Sequence, residues 1–113
     1  MTEGERDRLC LDHIAECIHN VRSDIAGDSS VVGRNRTIRD AVLRNLQIMA
    51  ESTQRLSETI KATEPTIPWP QIEGFRHRLV HDYFRVDSGL IMRVIDEHLD
   101  ELLDGVSRMK LKF

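Results

Sequence analysis

The sequence predicts an all-α protein, a four- to five-helix up-down bundle with a long second helix. Three observations carry that expectation. Apolar residues recur at three- and four-residue spacing over most of the chain, the period of a helix with one buried face. No stretch shows the strict apolar–polar alternation of a strand. Breaker and capping residues gather into clusters such as GDSSVVGRN and ATEPTIPWP, which separate the periodic segments.

The first helix is predicted from about Arg6 to Ala26, with Leu11, Ile14, Ile18, Val21 and Ile25 on one face. A loop or short irregular turn fits Gly27 to Asn35. The second helix is expected from about Arg36 to Lys61, with Ile38, Ala41, Val42, Leu46, Met49, Leu56 and Ile60 along one broad face. At 1.5 Å per residue it would span about 40 Å. Three X-Pro steps, at Pro65, Pro68 and Pro70, then disfavour helix across Thr66, Ile67 and Trp69. Pro70 suits the first turn of a third helix, where its missing N–H costs nothing. Asp87 or Ser88 caps a fourth, which carries Leu90, Ile91, Val94, Ile95, Leu99, Leu102, Leu103, Val106 and Met109.

A chain of 113 residues fits one domain over 1–113, and a domain of this size buries roughly two-thirds of its unfolded surface. With 40% hydrophobic and 31% charged residues it reads as a soluble globular chain. The formal net charge of −3 argues against a broadly basic nucleic-acid binder, so any phosphate contact must come from a local patch. No apolar run approaches the roughly 20 residues that cross a bilayer, so no membrane association is expected. MTEGERDRLC lacks the apolar segment of a signal peptide, and a cytoplasmic location is expected. Cys10 and Cys17 would lie about 10 Å apart on one helix face, too far for a disulfide. With His13 they form at most a metal-binding stripe; the plainer reading is two small core residues.

Chemistry concentrates in FRHRLVHDYF, Phe75 to Phe84. On a helical wheel Ile72, Phe75 and Leu79 share a core-facing stripe, and Arg76 lies about 40° off it. His77, Arg78 and His81 fall on the far side, with His77 and His81 neighbours at i and i+4. A straight helix does not bring Arg76 and His81 together; a second copy of the helix across a symmetric dimer would complete the set. Imidazole exchanges protons near neutral pH, and guanidinium binds phosphate bidentately. One histidine would deprotonate a ribose 2′-hydroxyl for attack on the adjacent phosphate, and a second would protonate the leaving 5′-oxygen. No magnesium-holding carboxylate cluster stands near the motif, which favours a metal-free route. A solvated helix face gives the same pattern, and spacing alone does not separate the two. On the wheel Tyr83 falls near Ile72, as a half-buried core aromatic, and Trp69 reads as a packing anchor rather than a base-stacking platform.

GFRHRLVHDYFRVD, Gly74 to Asp87, resembles the signature of the HEPN superfamily, specifically the HepT-like toxins that pair with minimal nucleotidyltransferases. Its pattern is Arg, a polar residue, three residues, His, one residue, Tyr; Arg76, His77, His81 and Tyr83 match it. The similarity extends upstream through RDAVLRNLQIMAESTQRLSE and IPWPQIEGFR. The family often has GEA where this chain has Ala50, Glu51 and Ser52, and Asn where it has His77. The resemblance implies a HEPN-like helical fold, a homodimer, and motif helices around a shared cleft. It implies a metal-independent RNA endonuclease toxin that needs no cofactor. Arg76 and His81 would be the catalytic pair, with His77 and Arg78 in support. A partner nucleotidyltransferase, the antitoxin, would transfer AMP to Tyr83 and so silence the toxin. An alternative from the same residues is a non-catalytic nucleotide-binding or regulatory subunit of a nucleotidyltransferase complex. For either, Arg76, Arg78, Arg85 and, more remotely, Arg93 supply the basic patch.

Overall fold

The computed structural model describes all 113 residues. It is all-α, with six helices: α1 (Glu3–Ile25), α2 (Arg36–Arg55), α3 (Glu58–Lys61), α4 (Trp69–His81), α5 (Ser88–Glu97) and α6 (Leu99–Lys110). Short 3₁₀ turns occupy Ser29–Gly33 and Tyr83–Arg85. No helix is long and apolar enough to cross a membrane.

Local chemistry sets the helix limits. Thr2 caps α1 by accepting from the Glu5 N–H, Asn35 caps α2 by accepting from Ile38, and Asp87 caps α5 by accepting from Leu90. After α1 the chain turns through Ala26 (φ 48°) and Gly27 (φ 83°), a left-handed reversal that glycine adopts without a Cβ clash. The expected irregular segment at 27–35 is the Ser29–Gly33 turn, held by Asp28. Its carboxylate accepts from the Ser30 N–H and hydroxyl and from Arg34.

The two longest helices, α1 and α2, pack as an antiparallel pair. Asn20 bonds Asn45, and farther along Asp7 meets Ser57. Helix α6 runs antiparallel to α1 on another side, joined by the Arg22–Asp100 and Lys110–Asp12 ion pairs. Twenty-three buried residues make one continuous core, with Leu11, Ile14, Ile18 and Val21 of α1 against Val42, Leu43 and Leu46 of α2. Cys10 and Cys17 belong to that core while His13 is exposed, so the metal stripe does not form.

Two expected helices are shorter than their periodicity implies. The second stops at Arg55 rather than Lys61, because Leu56 is extended (ψ 141°) and Ser57 starts the one-turn α3. Thr53 back-bonds to the Ala50 carbonyl at 2.6 Å, which bends a helix end. Beyond it, the buried Asp7 carboxylate accepts from the Ser57 N–H (2.8 Å) and hydroxyl (2.6 Å), fixing the break. The fourth predicted helix divides at His98 (φ −122°) into α5 and α6. The halves follow different neighbours: α5 packs on the 29–33 turn and α6 on α1.

Candidate active site

Helix α4 carries the reactive cluster and is fastened along its length. At its start Pro70 occupies the first turn, where no N–H is needed. The half-buried Trp69 indole N–H is shared between the Lys61 carbonyl (3.3 Å) and the Glu64 carbonyl (3.2 Å), closing the 61–69 loop on the helix. Trp69 is thus a packing anchor, as expected. The Glu64 carboxylate accepts from Arg108 of α6 through Nε (2.8 Å) and Nη2 (2.6 Å). Those bonds hold its pKa below the ordinary carboxylate value. Midway, Leu79 is buried, and Ile72 and Phe75 pack beside it against the core, so the predicted stripe faces inward.

At its far end the helix stops at His81, where Asp82 donates its N–H to the Arg78 carbonyl. The 3₁₀ turn at Tyr83–Arg85 follows, held by Arg85 N–H to Asp82 (2.8 Å) and Val86 N–H to Tyr83 (3.4 Å). Tyr83 is half-buried against the core, as the wheel suggests, but it reaches that position on the turn and not on the helix. Arg39 of α2 donates through Nη2 to the Val86 carbonyl at 2.5 Å. That anchor went unassigned in the sequence. Helical periodicity carries no sign of it, because the acceptor is a backbone oxygen 47 residues away.

The cluster itself is divided. His77 and His81 are exposed, with ring centroids 4.4 Å apart, the predicted i, i+4 neighbours. His81 and Tyr83 border one shallow, open depression of about 270 Å³ with Asp82, Phe84 and Arg85. Arg78 instead borders a larger apolar groove of about 530 Å³, where Met49, Ile72, Phe75, Leu90 and Val94 lie between α2, α4 and α5. Arg76 lines neither. It is half-buried, and its Nε is sealed from solvent with no acceptor, the one buried side-chain nitrogen or oxygen so left in the chain. Within one chain, no hydrogen bond or ion pair joins Arg76 to His81.

Set beside known proteins, residues 11–109 match the family model described as ribonuclease HepT-like. The chain belongs to the HepT-like ribonuclease family. Among curated relatives, a candidate RNase of Methanocaldococcus jannaschii is 31% identical over 68 residues, covering 60% of this chain and 62% of that protein. A protein named probable ribonuclease HepT from Thermococcus cleftensis is 32% identical over 70 residues, covering 62% and 64%. A candidate RNase of Caldanaerobacter subterraneus subsp. tengcongensis is 32% identical over 72 residues, covering 64% of each. This HepT-like chain therefore aligns with a little under two-thirds of the length of each of these relatives. No solved structure gives a significant match.

Proposed function

We propose that this chain is a metal-independent RNA endonuclease acting as the toxin of a toxin–antitoxin pair in the cytoplasm. The observation that carries the reading is the match of residues 11–109 to the HepT-like ribonuclease family, in a chain that sets His77, His81 and Tyr83 together at the end of α4. His81 takes the proton of a ribose 2′-hydroxyl, and that oxygen attacks the adjacent phosphorus. The Arg76 guanidinium meets the charge that builds on the phosphoryl oxygens. The P–O5′ bond breaks, a second imidazole returns a proton to the leaving oxygen, and a 2′,3′-cyclic phosphate remains. DNA, without the 2′-hydroxyl, is not a substrate. The second imidazole comes from another copy of the chain. In support, no hydrogen bond or ion pair joins Arg76 to His81 within one chain, and Arg76 does not border the depression that His81 opens into. His77, stacked obliquely on His81, steadies its ring.

Tyr83 is the control point. AMP transferred to its hydroxyl by a partner nucleotidyltransferase would fill the depression that His81 opens into, placing an anion where the RNA phosphate belongs. The test is RNA cleavage in EDTA by the unmodified chain, Arg76→Ala and His81→Ala. Each substitution is expected to lower the rate by about 10²- to 10⁴-fold. Equal cleavage by all three ends the catalytic assignment.

The competing reading, a non-catalytic nucleotide-docking module, draws on the net charge of −3 and on Arg78 facing the other groove. Expression without the partner separates the two. Toxicity abolished by His81→Ala supports the nuclease, and a harmless unmodified chain supports the module.

A further inference from the structure

The ribonuclease reading uses His81 and Tyr83 and leaves unexplained the ring between them and Arg85. Of the large apolar side chains in contact with solvent, Met1, Leu111 and Phe113 lie within three residues of the chain ends. Leu9 and Val80 are less than half exposed. Phe84 is 97% exposed, in the middle of a 3₁₀ turn. Folding drives a phenyl ring out of water, and Phe84 is the one large apolar side chain away from the chain ends that stays more than half exposed, directly beside His81 and Tyr83.

We propose that Phe84 is a stacking platform for an unpaired RNA base, which it seats beside the phosphodiester that His81 attacks. This inference rests on the ribonuclease reading and names the form of substrate that site takes, single-stranded RNA. Three features select a base as the occupant. Phe84 borders the same open depression as His81, so a base resting on the ring lies next to the imidazole. The neighbouring Tyr83 meets Phe84 edge-to-face, with centroids 5.6 Å apart and planes at 89°, an arrangement that leaves the phenyl open to solvent. Of the depression's two charged neighbours, Arg85 offers a cation to the flanking phosphate, while Asp82 repels phosphate and accepts from the N–H edge of a base. A paired base in a duplex has both faces covered by its neighbours, so only an unstacked one reaches such a ring. Stacking of this kind tolerates any base, because every base has a π-face.

The experiment measures fluorescence anisotropy of a labelled short single-stranded RNA, and of the same strand annealed to its complement. Both are added to the full chain carrying His81→Ala, so that nothing is cut. Adding Phe84→Ala is expected to weaken single-strand binding about tenfold or more and to leave duplex binding unchanged. Phe84→Tyr should retain single-strand binding, and Phe84→Leu should lose it, since leucine is apolar but has no π-face. Unchanged affinity in Phe84→Ala, equal losses for both RNAs, or rescue by leucine overturns the proposal. Rescue by leucine with a change of mass in Phe84→Ala alone would assign the ring to a subunit contact. Because binding is read without cleavage, the two ideas fail separately. A chain that cuts RNA but binds independently of Phe84 loses the platform, and one that binds through Phe84 but never cuts loses the nuclease.

Discussion

Replacing Arg39 by methionine tests how the histidine-bearing end of α4 is held. Arg39 is the only donor to the Val86 carbonyl, at 2.5 Å, and Val86 is buried. Methionine keeps an apolar stem of similar reach and removes the donor, leaving that carbonyl without a partner. A hydrogen bond to a charged group contributes about 1.5–3 kcal/mol, so the loss should be about 2 kcal/mol. An unfolding entropy of about 2.1 cal/mol/K per residue makes 1 kcal/mol worth about 4 °C for a chain of this length. The melting temperature, followed by circular dichroism, should therefore fall by about 8 °C. Amide exchange should speed up at Arg85 and Val86, whose N–H groups close the turn between His81 and the anchor. RNA cleavage should fall about 10- to 100-fold, since small displacements of a catalytic group are costly. Lysine, a single point donor, should recover only part of each effect. A melting temperature within about 2 °C of the unmodified chain, with exchange at Arg85 and Val86 unaltered, would refute the anchoring argument.

Asp7→Ala removes both acceptors that hold Ser57 and should cost about 3 kcal/mol, about 12 °C in melting temperature, with Asp7→Asn intermediate; an unmoved transition would contradict the clamp. The Asp28 carboxyl is held down to about 2 by hydrogen bonds from the Ser30 hydroxyl, Arg34 and the Ser30 N–H. Its folded value lies below the ordinary 3.8, so its support of the 29–33 turn is complete above about pH 4 and is lost as pH falls through about 2. A carbon-detected NMR titration of Asp28 with its midpoint near 3.8 would contradict this. Burial pushes both thiols upward, so Cys10 and Cys17 should resist thiol reagents until denaturant unfolds the core. Rapid labelling of the native chain would show that they are not core residues.

Most of the helices were legible because their stabilising interactions are local. Leu11, Ile14, Ile18 and Val21 repeat at helical spacing and are buried together, and Asn35 and Asp87 announce helix starts within a turn of themselves. The breaks at Leu56 and His98 were not legible. The apolar repeat runs on through both, and the first depends on a carboxylate 50 residues away. At the candidate site, the neighbouring imidazoles of His77 and His81 and the inward stripe of Leu79 follow from the wheel. The wheel does not show that α4 ends at His81. That ending sets Tyr83 and Phe84 beside His81, while Arg78, within the helix, borders a different groove with Phe75. Arg39 was hidden for the same reason as Asp7, being a long-range bond to backbone that leaves no periodic trace.

The chemistry at His81 is tested most directly by the ends of the RNA fragments. Cut in EDTA by the purified full chain, an oligoribonucleotide should yield a 2′,3′-cyclic phosphate and a free 5′-hydroxyl, and a single 2′-deoxy substitution at the cut position should stop cleavage there. A 5′-phosphate on the product, or undiminished cutting at the deoxy position, would show that no 2′-oxygen is activated and would contradict the account.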